Sequence, residues 1–154
     1  MIFQYGRDEV DPLNWQRLLS AEVKKGIPIQ TGPGTCEYYL PENSIYLIDS
    51  WFFQVQTSAI AHNRLVSLQV ADKQGLNLWY SAPPFFQPAS TIVQYNFVRE
   101  ILTSPLIGLT AAINIPNIPI MNCLEIFSTV SGIQIGDLVT FEHFYYRELL
   151  LNKP

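Results

Sequence analysis

The chain has 154 residues, 48% of them apolar and 13% aromatic, with only 14% charged and a formal net charge of −4 at pH 7. That length implies one domain with a core large enough to need no disulfide or metal staple. The charge argues against a nucleic-acid footprint, because no Lys/Arg cluster exceeds Lys24-Lys25. No run reaches the roughly 18 apolar residues of a spanning helix, and the segment MIFQYGRDEVDPL has no basic stretch leading into an apolar one, so neither a membrane nor a signal peptide is expected.

The first 34 residues differ from the rest. In DPLNWQRLLSAEVKKG, Asp11 suits a cap, Pro12 the first helical position, Lys24 and Lys25 a last turn and Gly26 an exit. Trp15, Leu18, Leu19 and Val23 fall near one stripe, so a helix is expected from about residue 12 to 25. GIPIQTGPGT then reads as a tether. Residues 1–34 therefore predict an arm: a lead segment, an amphipathic helix and a linker.

From Thr35 the apolar period changes to two. TCEYYL predicts a short strand. SIYLIDSWFFQVQT alternates so as to place Ile45, Leu47, Trp51, Phe53 and Val55 on one face, and Tyr46, Ile48, Phe52 and Gln54 on the other. RLVSLQVAD points Val66, Leu68 and Val70 inward, and KQG turns the chain into LNLWYS as a hairpin. After the proline-rich APPFFQPA, STIVQYNFV directs Val93, Tyr95 and Phe97 to the core. IMNCLEIFSTV contributes Leu124 and Ile126, and LVTFEHFYYRELLL closes the chain as a long strand. The pattern predicts an all-β antiparallel sandwich over residues 35–150, Greek-key or jelly-roll-like.

One stretch fits neither period. PLIGLTAAINIPNIPI, Pro105 to Ile120, has no charge and three prolines, inside a span over 99–119 that reads as a long apolar loop insertion. A chain with so little charge has little polar material to cover a lone monomer, so burial of this loop against a partner is expected, with closure over its own sandwich as the alternative. The expected partner surface is Trp15, Leu18 and Leu19 of the arm, Pro83, Pro84, Phe85 and Phe86 of the PPFF loop, and Pro105, Leu106, Ile107, Leu109, Ile113, Ile115 and Ile118.

Catalytic and cofactor chemistry finds little footing. His62 and His143 are the only histidines, one in a turn and one between strand aromatics, and no GxSxG elbow is present. Glu142, His143 and Glu148 do not share a strand face, so no metal site is predicted. GPGT lacks the Lys-Ser/Thr of a phosphate loop. Glu125 and Glu142 form a carboxylate pair only if neighbouring strands bring them together. Trp79, Tyr80, Phe85 and Phe86 are candidates for a sugar-stacking platform, to which Trp79 and Tyr80 cannot both belong. Cys36 and Cys123, without CxxC spacing, read as buried thiols, with a disulfide left open. No enzyme, cofactor or metal is expected.

A set of strand-and-turn motifs carries a resemblance. It comprises Trp51 in a strand, the turn Thr57-Ser58-Ala59, Asn63-Arg64 opening the next strand, Asp72 to Gly75 in a hairpin, then Gln87, Ala89, Ser90, Tyr95 and Phe97 in QPASTIVQYNF, and Gly136-Asp137 before the last strand. Over about residues 44–149 the chain resembles small β-rich virion proteins of tailed bacteriophages. The resemblance implies a capsid decoration or cement protein, made in the host cytoplasm and held on the capsid surface by the major capsid protein lattice and by copies of itself. The alternatives are a carbohydrate- or receptor-binding virion module, which requires a solvent-facing row of aromatics flanked by Asn, Gln and Asp, and a small hydrolase, which requires a histidine beside a carboxylate in one cleft.

Overall fold

The computed structural model describes residues 12–40, 44–72, 74, 76–101, 109–121 and 125–151. Among these residues one helix, α1 (Pro12–Ser20), precedes eleven strands: β1 (Val23–Gly26), β2 (Ile29–Gly32), β3 (Thr35–Tyr39), β4 (Ser44–Gln56), β5 (Leu65–Ala71), β6 (Asn77–Ser81), β7 (Ile92–Arg99), β8 (Thr110–Ile115), β9 (Ile120–Met121), β10 (Glu125–Ser131) and β11 (Leu138–Leu150). One sheet runs β1-β11-β4-β7-β8, with β9 also on β4, and the other runs β2-β3-β10-β5-β6. Setting aside β2, β8 and β9, this is the strand order of a jelly roll, the all-β sandwich that the alternation predicts. Asp11, Gly75, Pro105, Leu106, Ile107, Cys123 and Leu124 lie outside the described residues, as does the side chain of Glu142.

The core lies between the sheets. Trp51, Phe53, Val55, Val93, Tyr95 and Phe97 from the first sheet meet Val66, Leu68, Val70 and Ile126 from the second, as their alternation requires. Phe53 stacks on Tyr95 and Phe97, with ring centroids 5.6 and 5.8 Å away, and Trp51 stacks on Phe144 at 4.6 Å. Each large apolar side chain taken out of water contributes about 1.5–3 kcal/mol, so this aromatic layer dominates the cohesion of the sandwich.

Strand β4 departs from simple alternation. Ile48 pairs with Tyr146 but Ser50 pairs with Tyr145, leaving Asp49 as an extra residue. Such a bulge exchanges the faces on either side of it. Tyr46 and Ile48 therefore join Trp51 and Phe53 in the main core, while Ile45 and Leu47 face the other way, onto Trp15 and Leu18 of α1. The face assignment expected for Ile45 and Leu47 is thus reversed. Arginines hold the bulge. Arg99 donates to Asp49 from Nε at 3.2 Å and from an Nη at 2.7 Å, and Arg147 donates at 3.0 Å. Arg147 also donates to the carbonyl of Leu19, so one side chain ties the bulge to the end of α1.

Residues 12–32 are built into the sandwich, where the sequence predicts a helix to about residue 25 and a tether. The helix stops at Ser20, and Val23–Gly26 pairs with β11 while Ile29–Gly32 pairs with β3. Strands β1 and β2 therefore edge the two sheets in turn and close one side of the sandwich. A β-branched Val23 beside an unpaired edge of β11 favours a ladder over another helical turn. Gly26 lies under the Phe144 ring, where a Cβ would come within 2.2 Å of a ring carbon. GPGT is the turn of the β2–β3 hairpin, with Gly34 at φ 89°.

The span 99–119 is also not simply a loop. Thr110–Ile115 lies parallel to β7 as an edge strand, with Ile113 paired to Phe97 and Ile115 to Arg99. Ile113 and Ile115 are each 1% exposed, within the molecule's own core. Proline and glycine around TAAINI obscure a six-residue strand that pairs with its neighbour only after a crossover.

Candidate functional site

Three connections meet at one end of the sandwich: 57–64 between β4 and β5, 82–91 between β6 and β7, and 132–137 between β10 and β11. A fully buried ion pair fastens them. Arg64 donates from Nε and Nη2 to the two carboxylate oxygens of Asp137 at 2.9 and 2.8 Å, and both side chains are 0% exposed. Arg64 Nη1 donates to the carbonyls of Ile60 and His62, and Nη2 also to Ser58 Oγ. All five guanidinium donors are therefore used. Asp137 accepts in addition from the backbone amides of Ser58 at 2.7 Å and Gln134 at 2.8 Å. Burial by itself would raise the Asp137 carboxyl. Arg64 and those two amides outweigh it and hold the group well below the usual carboxylate range.

Gln87 completes the fastening. It is fully buried, exchanges backbone hydrogen bonds with Arg64, donates its side-chain amide to the Val55 carbonyl at 2.9 Å, and accepts from the Tyr95 hydroxyl at 3.0 Å. Thr57 Oγ1 donates to the Pro88 carbonyl and Ser90 N to the Ser58 carbonyl, with Ser90 held at φ 58°. The turn and strand-opening residues singled out from sequence, Thr57, Ser58, Arg64, Gln87, Ser90, Tyr95 and Asp137, thus converge on one polar knot. Some of its bonds are local, as between Tyr95 and Gln87, but those of Arg64 to Asp137 and of Thr57 to Pro88 join residues 73 and 31 positions apart.

Held by this knot, the loops present apolar tips to solvent. Ile60 is 46% exposed, Phe86 56%, Leu138 57% and Ile135 90%. Leu138 and Ile92 flank Gln56 in the sheet, and Leu109 lies against β7 at the same end, its carbonyl accepting from Gln94 N. Of the surface expected from sequence, Phe86 and Leu109 are here and exposed, and Pro84 is exposed beside them. Pro83 is buried, and Phe85 turns inward to stack on Tyr95. Ile118 is half-buried. Trp15 and Leu18 are spent on Ile45 and Leu47, leaving Leu19 at the rim of the helix. Ile60, Ile135 and Leu138 were not anticipated, although their neighbours Ser58, Gly136 and Asp137 were.

Other chemistry is dispersed. His62 is in the exposed 57–64 loop, whereas His143 lies in β11 beside Phe52 and Tyr145, and among the described residues neither histidine hydrogen-bonds a carboxylate. No group of three or more His, Cys, Asp or Glu gathers among the described residues as a metal site would need. Cys36 is a free, buried thiol, pushed up to about 12 by burial. Strands β10 and β11 lie in different sheets, and Glu125 meets Glu37, where burial together with the Glu37 charge raises its carboxyl. Trp79 packs on the core, Tyr80 faces solvent on β6 and Phe85 turns inward, so the proposed aromatic platform does not form. No described helix is long and apolar enough to cross a membrane.

Fold and site together define a jelly-roll β-sandwich with one end built as a fastened set of loops carrying apolar tips. No family model matches the chain, and no curated protein matches it. Among solved structures it is similar to a chain of infectious bursal disease virus, Gt strain, at 14% identity and TM-score 0.37 over 85% of this chain and 33% of that one. It is also similar to a chain of the T13 particle of the same virus, at 13% identity and TM-score 0.39 over 84% of this chain and 31% of that one. The chain spans about one third of the length of those chains.

Proposed function

We propose that this protein is a non-enzymatic virion structural protein, a capsid decoration or cement protein that docks on the major capsid protein lattice through its fastened loop end. The observation that carries the proposal is the exposure of Ile60, Phe86 and Ile135 on loops, and of Leu138 at the start of β11, beside the buried fastening of Arg64, Gln87 and Asp137. Apolar anchors held in place before binding lose little freedom on docking, which is how a small patch attains useful affinity. Repetition over a shell then multiplies modest contacts. The resemblance to tailed-phage virion proteins supports the same reading, because seven of the residues that carry it, Thr57, Ser58, Arg64, Gln87, Ser90, Tyr95 and Asp137, make this knot. The jelly roll fits a capsid component and, being shared with lectin and cupin folds, does not by itself assign one.

The test is co-sedimentation with shells assembled from the major capsid protein. A Phe86→Asp/Ile135→Asp double variant alters only exposed positions and is expected to melt like the wild type, since such substitutions usually change stability by within about 0.5 kcal/mol each. It is expected to stay in the supernatant while the wild type pellets with shells. Equal retention of both proteins would refute the assignment of the docking surface.

A further inference from the structure

The outward face of the first sheet carries a second feature, which begins at Gln54 and Gln94, one same-face pair along from Gln56 and Ile92. Helix α1 covers its lower half through Ile45, Leu47 and Leu149. Above the Asp49 bulge nothing described covers it. There, Phe52 of β4 faces His143 of β11, with ring centroids 5.6 Å apart. Tyr145 closes the group at 5.0 Å from His143 and 6.3 Å from Phe52. All three rings are half-buried. The alternation that buries Trp51, Phe53 and Phe144 forces these neighbours outward.

Amides flank the rings. Asn96 is the cross-strand partner of Phe52, and Gln54 and Gln94 are partners of each other one step along. A shallow depression of about 70 Å³ opens among Phe52, Phe53, Gln94 and Asn96. The side-chain amides of Gln54, Gln94 and Asn96 make no hydrogen bond within the described residues, unlike Gln87 and Gln69, which are both tied down. Thr110 and Ala112 of β8 extend the surface beside Gln94 and Asn96. Among the described residues, Lys25 is the cross-strand partner of Tyr145 at the β1 edge, and Arg147, two residues along β11, is engaged with Asp49.

We infer that this face is a binding site for a neutral oligosaccharide. Flat half-exposed rings suit the apolar faces of sugar rings, and each free amide offers a donor and an acceptor to adjacent hydroxyls. A phosphorylated or anionic ligand would need cations, and among its described residues the ring-and-amide patch itself includes no Lys or Arg. A second protein chain packed flat here would bury three amides without evident partners, at about 1–3 kcal/mol for each group left unsatisfied. Strands about 4.8 Å apart make the β11-β4-β7 patch broad enough for a short oligosaccharide rather than a single ring. This reading uses the sheet face rather than the loop tips, so the Ile135 variant below separates it from shell docking.

The experiment uses the full chain, ¹⁵N-labelled, first screened on a printed array of neutral and acidic glycans and then titrated with the strongest neutral hit. The expected result is chemical-shift change at residues 52, 94, 96, 143 and 145. Gln94→Ala/Asn96→Ala is expected to weaken binding about tenfold, the loss of roughly one net hydrogen bond, with an unchanged melt. Tyr145→Leu, which keeps an apolar side chain but no ring, is expected to weaken it as well, whereas Ile135→Asp leaves it intact. No neutral ligand at millimolar concentration, binding confined to acidic glycans, shifts mapping elsewhere, or a dimer dissociated by Asn96→Arg would each overturn the inference.

Discussion

Asp137→Ala tests the physical basis of the loop end most directly. In the native protein the Arg64 guanidinium is wholly buried, with two of its five bonds on that carboxylate, and the amides of Ser58 and Gln134 depend on the same group. Removing one member of a buried, hydrogen-bonded ion pair costs about 3–5 kcal/mol, because the surviving charge has lost both solvent and partner. For a domain of this size about 1 kcal/mol moves Tm by about 2–4 °C, so a fall of roughly 6–20 °C is expected. Urea unfolding of the wild type, Asp137→Ala, Arg64→Met and the double variant forms a cycle. The double variant should be less destabilised than the sum of the singles, since it leaves no orphan charge. The sign of the pH dependence follows from the depressed Asp137 carboxyl. Its stabilisation is complete above the unfolded value of about 3.9 and is lost as pH falls through the lower folded value, so the wild type weakens on acidification below about pH 4 and Asp137→Ala does so less steeply. A Tm loss under about 3 °C, or an additive cycle, would refute the claim that this pair fastens the loops.

Three further outcomes are expected. Gly26→Ala places a methyl about 2.2 Å from the Phe144 ring and should cost about 1–3 kcal/mol by overpacking, read as a lower urea midpoint. Ile113→Ser/Ile115→Ser and, separately, deletion of residues 1–34 should each abolish cooperative melting by calorimetry, because the first places hydroxyls in the core and the second strips two edge strands and the cover over Ile45 and Leu47. Glu125→Gln removes a like-charge neighbour of Glu37. Its raised carboxyl means that stability is lost as pH rises through the folded value, so the variant should gain about 0.2–1 kcal/mol at pH 7 and nothing at pH 3 by thermal melts.

Much of the sandwich was legible in the chain itself. Val66, Leu68 and Val70, like Val93, Tyr95 and Phe97, alternate strictly, and side chains in a strand must alternate across the sheet, so their burial follows from local order alone. The Pro12 start of the helix was legible for the same reason, being set within one turn. What tertiary structure decided depends on partners distant in sequence. Asp49 becomes a bulge only because Arg99 and Arg147 arrive from strands 50 and 98 residues away, and that one extra residue sends Ile45 and Leu47 to the helix. Arg64 and Asp137 are 73 residues apart, each an ordinary turn residue until the fold removes both from water. Strands β1, β2 and β8 have weak patterns of their own and exist because a neighbouring edge has backbone groups to satisfy. Local periodicity is a property of a few residues, whereas a buried charge or an edge ladder exists only when the whole chain has closed around it.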